Sequence, residues 1–221
     1  MRVREIAVAF PARQFTNEDV IAEVREASGG FAKDLPKTLA YIRQVLRITG
    51  SEVRYWIDEV RETPLSITID ACRKVLSRLA PADKIDLLIY ASVFSELVEP
   101  AASNLIANEL GLSETECFDV KEACDGWIKA MKIADALIKG GACERILIVN
   151  SEFSMTPGYA IRPNLFRLKS RNELAWRFPA FTIGEAATAT LVERDEERPW
   201  RFANITRNSL YDLCTVTPAW Q

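Results

Sequence analysis

"FDVKEACDGWIKAMKIADALIKGG", residues 118–141, sets a short apolar run, a cysteine and a long amphipathic pattern end to end. Phe118 to Val120 reads as a strand, and the first turn of a helix begins at or just after Cys124. Trp127, Met131, Ala134 and Ile138 recur at helical spacing and form an inward face, while Lys129, Lys132, Asp135 and Lys139 fall largely away from it. A strand that feeds a one-face-buried helix is half of a βαβ unit.

The same alternation extends on both sides. Upstream, "DLLIYAS" from Asp86 reads as a buried strand, Pro100 marks a helix start and "AASNLIANELGL" follows as the helix; downstream, "RILIVNS" is the next strand. Strand, helix, strand, helix, strand with short apolar strands implies right-handed crossovers and a largely parallel or mixed sheet, so the fold class is layered α/β. Further out, "REIAVA" (residues 4–9) reads as a strand, and "TNEDVIAEVREASGG" as a helix capped by Thr16 or Asn17 and stopped at Gly29-Gly30. Leu39, Ile42, Val45 and Leu46 are helix-like before a turn at Thr49-Gly50-Ser51. After Pro64, Ile69, Cys72, Leu76 and Leu79 define an apolar helical face that places Cys72 in the core. Residues 152–180, with Pro157, Gly158, Pro163 and several exposed-looking aromatics, read as an inserted excursion or lid. "EAATATLVERD" resumes as a strand, and "RFANITRNSLYDLCTVTPAWQ" as a strand and trailing loop. The expected organisation is one domain over residues 1–195 carrying that excursion, with residues 196–221 starting a linker or second half.

Composition narrows the function classes. The 221 residues are 48% hydrophobic and 27% charged with a net charge of −3, an ordinary globular balance that lacks the basic runs needed to neutralise a nucleic-acid backbone. No stretch approaches the apolar length of a membrane-spanning helix. The five cysteines have no paired spacing and the N-terminal apolar run is short for a signal peptide, so the expectation is a cytoplasmic protein with free thiols. The chain contains no histidine, which removes the commonest general base from its own repertoire.

Cys124 has two readings at this point. It is a small buried hydrophobe at a strand–helix junction, or a nucleophile at a helix N-terminus, where backbone N–H groups stabilise a thiolate and donate to an oxyanion on a bound acyl group. Asp125 beside the sulfur opposes the thiolate but suits the helix terminus.

The segment "FDVKEACDGW…ADALIKGGACERILIVNSE" resembles the active-site segment of ketoacyl-acyl-carrier-protein synthase III, in the thiolase-like superfamily. Thr49-Gly50 with downstream Arg54 is similar to that family's threonine-glycine turn and arginine; "FTIGEAATATLVE" and "SLYDLCTVTP" resemble later segments in the right order. The resemblance implies a thiolase-like fold, N-terminal half, lacking most of the C-terminal half. It implies that Cys124 accepts an acyl group from coenzyme A or an acyl carrier protein, with the phosphopantetheine thioester as substrate and no metal or other cofactor. It also implies a substrate-binding Arg177, whose alternative is a solvated arginine, and a substrate-binding Gly184 in the glycine-rich segment. Glu99, beside Pro100, matches a loop that in this family crosses a dimer interface; related head-to-head condensing enzymes place a candidate base there, the alternative being an exposed surface glutamate.

The departures are specific. The family's histidine and asparagine have no counterpart, Glu185 and Ala186 replace an aspartate and a glycine, and Gln44 stands where a tryptophan stacks on coenzyme A. The expected function is the acyl-accepting subunit of a condensing enzyme, a dimer or heteromer whose C-terminal half or second subunit supplies the histidine and asparagine. Acyl transfer without condensation and a non-catalytic partner subunit are the alternatives.

Overall fold

A computed structural model describes residues 1–30, 34–93, 95, 97–156, 164–197 and 199–213. The described residues divide into two compact units. The first comprises Met1–Phe10, Thr63–Glu152 and Ala186–Asn208; the second comprises Pro11–Glu62, Phe153–Glu185 and the described part of Ser209–Gln221.

The first unit is a three-layer α/β arrangement. Strands β1 (Arg2–Ala9), β4 (Leu87–Ala91), β5 (Glu116–Val120), β6 (Arg145–Glu152) and β7 (Ala186–Glu193) form a five-stranded mixed sheet in the order β1-β7-β6-β4-β5; β2 (Arg13–Thr16) and β3 (Val53–Trp56) belong to the second unit. β4 pairs in parallel with β5 and β6, while β7 is antiparallel to both its neighbours. Burial on both faces explains the uninterrupted apolar run of β4, whose five residues are all buried. Leu87, Ile89 and Ala91 share a core cluster with Ala130, Met131, Ala134 and Ile138 of helix α5 (Gly126–Lys139). Tyr90 points to the other face, towards Thr68 of α3 (Pro64–Leu76) and Ala102 and Ile106 of α4 (Ala102–Glu109), so α3 and α4 lie opposite α5. Cys72 is buried in α3 as expected, and burial pushes its thiol up to about 12. Asp135 departs from the expected polar face of α5: it is buried, and its carboxylate is held by Lys139 one turn on at 2.6 Å.

In the second unit, α1 (Asn17–Ala27) begins with the capping box that Thr16 and Asp19 encode, and α2 (Leu35–Thr49) ends at Gly50 in the left-handed conformation. β2 (Arg13–Thr16) and β3 (Val53–Trp56) form an antiparallel ribbon. Four residues each, with little alternation, they carried no strand signal. The aromatics of the 152–180 stretch were expected to be exposed. Phe153 and Phe166 are instead core residues, Phe166 meeting Trp56 edge-on at 5.6 Å and Phe181, just beyond the stretch, at 5.2 Å, and Trp176 alone among the described ones projects into solvent. Here α6 (Leu174–Arg177) is a single turn flanked by 3-10 segments. Pro157, Gly158 and Pro163 lie outside the described residues.

One further correction concerns the C-terminal stretch. No strand forms between Arg201 and Leu213; residues 208–213 are 3-10 turns and the run is almost wholly exposed.

Candidate active site

β4, β5 and β6 run in parallel and end on the same side of the sheet, the side on which open α/β sheets place their ligands. Cys124 follows β5 by four residues, inside a 3-10 turn (Ala123–Asp125) that runs directly into α5. The side chain is exposed. The preceding Ala123 has φ 43°, an unusual value for a residue with a Cβ and one that sharply redirects the chain from β5 into the turn. Gly126 rests against Ala91 at the end of β4, so the helix start is anchored over the middle strand. Glu122 pairs with Lys129 at 3.2 Å and braces the turn from its other side.

Asp119 fixes the neighbouring helix. Its Oδ2 and Oδ1 accept the N–H groups of Ala102 and Ser103 at 2.8 and 3.0 Å, supplying to α4 the cap that its own N-cap residue, Ala101, cannot. The Asp119→Ala variant is expected to lose about 1 kcal/mol of stability, the usual cost of a removed cap, measured by urea unfolding.

β4 and β6 are cross-linked at their ends. Asn150 donates its side-chain N–H to the Ala91 carbonyl, Ser92 Oγ donates to the Ser151 carbonyl, and Thr68 Oγ1 and Ser151 Oγ are 2.7 Å apart. Glu152 Oε1 accepts Val93 N–H at 3.1 Å and lies 3.1 Å from Ser92 Oγ, whose one proton is shared with the Ser151 carbonyl, and burial pushes this carboxyl up despite those contacts.

Glu99 belongs to the same unit, on the connection between β4 and α4, and is exposed. No burial of its carboxylate arises within the single chain. Arg177 and Gly184 belong to the second unit. Arg177 pairs with Glu173 at 3.1 Å and donates to the Asn164 carbonyl, which ties it to its own segment. Gly184 lies on β3: a Cβ there would stand 3.3 Å from Arg54 Cβ, and this closeness permits Glu185 N–H to reach the Tyr55 carbonyl at 2.8 Å and Trp56 Nε1 to reach the Ile183 carbonyl at 2.9 Å. Arg54 buries its guanidinium against Asn17 Oδ1 at 3.0 Å.

Sequence reasoning passed over Glu152 and over the second-unit role of Glu185. Glu185 is buried; its two carboxylate oxygens accept Ile57 N–H at 2.7 Å and Met155 N–H at 2.8 Å, and burial pushes its carboxyl up. The signal in both cases was a charged residue at the very edge of an apolar strand, where a carboxylate needs donors.

The family model of 3-oxoacyl-[acyl-carrier-protein (ACP)] synthase III matches residues 118–156, a span that begins in β5 and contains Cys124. The beta-ketoacyl-[acyl-carrier-protein] synthase III of Allorhizobium ampelinum is 34% identical over 142 residues, 58% of this chain and 43% of that protein. That of Rhizobium johnstonii is 34% identical over 152 residues, 68% of this chain and 42% of that protein. Among solved structures, cerulenin-bound OleA of Xanthomonas campestris superposes with a TM-score of 0.73 at 22% identity, covering 89% of this chain and 59% of its own. The fold is thiolase-like. The chain is ketoacyl-acyl-carrier-protein synthase III-like, and it spans less than half the length of the curated relatives it matches.

Proposed function

We propose that this chain is the acyl-accepting part of a ketoacyl synthase III-like condensing enzyme. Cys124 takes an acyl group from coenzyme A or an acyl carrier protein for a Claisen-type condensation. The observation that carries this reading is the coincidence of the family match over residues 118–156 with an exposed thiol at the carboxyl end of a parallel strand. In the acylation step Cys124 Sγ bonds to the thioester carbonyl carbon, the carbon–sulfur bond of the donor breaks, and the proton lost by Cys124 ends on the departing pantetheine thiol. Backbone N–H groups of the turn and the start of α5 favour the thiolate and the oxyanion formed on the way.

The chain has no histidine. The enolate and thioester oxygens of a condensation therefore take their histidine, with its companion asparagine, from a C-terminal part or a second polypeptide, in a dimer or heteromer. That same lack supports a second reading, acyl transfer without carbon–carbon bond formation. Product analysis separates the two. Chain loaded with acyl-coenzyme A and given a malonyl thioester is expected to release a β-ketoacyl thioester only when a polypeptide carrying the histidine and asparagine is added. Transfer of the acyl group to an added free pantetheine thiol under both conditions, with no β-ketoacyl product, establishes the second reading instead, and failure to load any acyl group overturns both.

A further inference from the structure

Three residues beyond Cys124, the Trp127 indole reaches the sheet: Nε1 donates to Thr190 Oγ1 of β7 at 3.2 Å. Thr190 is a buried hydroxyl set among Ala189, Leu191 and Val192, and an indole N–H is a donor that needs an acceptor wherever water is excluded. The segment between thiol and indole is continuous. Asp125 N–H bonds the Glu122 carbonyl at 3.0 Å and Gly126 N–H bonds the Ala123 carbonyl, so the turn that carries Cys124 passes into α5 as one hydrogen-bonded piece. That piece meets the sheet at two places. Gly126 rests on Ala91 of β4 and Trp127 is bonded to β7; in the strand order β7-β6-β4 the two anchors stand on either side of β6. Contact at Gly126 alone fixes a point about which the helix mouth can turn, whereas a second anchor two strands away fixes its direction. The Glu122–Lys129 pair braces the turn only against its own helix.

We propose that Trp127 is a positioning residue for Cys124: its hydrogen bond to Thr190 sets the direction of the helix mouth over the sheet and so holds the thiol in one place for attack. The inference rests on the reading of Cys124 as acyl acceptor. Attack on a thioester carbonyl demands a defined approach of sulfur to carbon, and a misplacement of about 1 Å costs on the order of a hundredfold. Iodoacetamide, a small reagent that can approach an exposed thiol from any open side, makes no such demand. Loss of the tether therefore slows acylation and leaves alkylation in place, a split that a loss of folded protein does not produce.

The test compares the two reagents. Wild type, Trp127→Phe, Thr190→Val, Thr190→Ser and the double variant Trp127→Phe/Thr190→Val are given lauroyl-coenzyme A over a range of concentrations, and separately iodoacetamide, with modification of Cys124 followed by peptide mass spectrometry. The expected result is a saturating acylation rate about tenfold lower in Trp127→Phe and in Thr190→Val, with the half-saturating concentration and the alkylation rate within about twofold of wild type. Thr190→Ser, which keeps the hydroxyl, acylates as wild type does. The double variant is no slower than the slower single one, because both substitutions break the same bond. Losses that multiply in the double variant overturn the inference, since the two side chains then act separately. Trp127→Phe or Thr190→Val that acylates at the wild-type rate overturns it as well, as does Thr190→Ser that is as slow as Thr190→Val. Alkylation that falls in step with acylation also overturns it, being the mark of a turn that has come apart. Valine has the shape of threonine without the hydroxyl, so Thr190→Val decides the matter should Trp127→Phe not fold. Wild type that takes no acyl group refutes the Cys124 reading itself and the inference with it, a result distinct from all of these.

Discussion

Incubation of the protein with an acyl-coenzyme A is expected to add the mass of one acyl group, and Cys124→Ala is expected to abolish that adduct completely. The argument is comparative. A thiol reacts with a thioester as its thiolate, so burial suppresses reactivity twice, by closing access and by favouring the protonated form. Cys72 is fully buried, with its thiol pushed up to about 12. Cys143 is buried, and desolvation with the nearby Asp86 and Glu116 raises its thiol. Cys117 is half-buried on β5, donates to the Thr115 carbonyl at 3.3 Å and is raised by desolvation and Asp119. Cys124 is the exposed thiol among the described residues. Alkylation with iodoacetamide is expected to protect against acylation with the same residue specificity, and substitution of Cys72 or Cys143 to leave the adduct in place. Cys214 lies outside the described residues, so an adduct that survives in Cys124→Ala and maps to another cysteine would falsify the assignment.

The part of the fold legible in the sequence is the part where one periodicity dominates. The α5 segment alternates every three to four residues over fourteen positions, and β4 is five apolar residues between turn signals, so both elements and their order followed from pattern alone. The α1 start was legible because Thr16 and Asp19 satisfy each other's N–H groups locally. The second unit was largely hidden for the opposite reason. β2 and β3 pair across about forty residues of sequence, and Phe166 finds its core against Trp56 and Phe181, contacts that no local window contains. The candidate site divides the same way: Cys124 was marked by its junction and by the resemblance, whereas the hydrogen bond from Val93 N–H to Glu152 depends on how β4 and β6 are assembled, a property of the sheet.

Glu185→Ala is expected to destabilise the second unit by roughly 3–5 kcal/mol, because it strands two buried N–H donors, Ile57 and Met155, at a cost of about 1–3 kcal/mol each, and opens a cavity as well. These donors come from the end of β3 and from the 153–156 segment, so the carboxylate joins two stretches that are distant in sequence. Glu185→Gln should recover only part of the loss. Each oxygen of Glu185 takes a different donor, and an amide turns one of those two positions into an N–H group facing another N–H group. The pH dependence has a definite sign. Burial raises the Glu185 carboxyl above its ordinary 4.5, so the folded protein retains this proton at pH values where the unfolded chain has released it. The associated stability is fully present below about 4.5 and is lost as pH rises through the raised folded value. Urea unfolding across that interval should therefore show the gap between wild type and Glu185→Gln widest at the acid end and narrowing upward. A gap that widens with pH would show that the hydrogen bonds from Ile57, Met155 and Thr156 outweigh desolvation and depress the carboxyl instead. Wild-type stability in Glu185→Ala would show that the second unit is held by its aromatic core without this carboxylate.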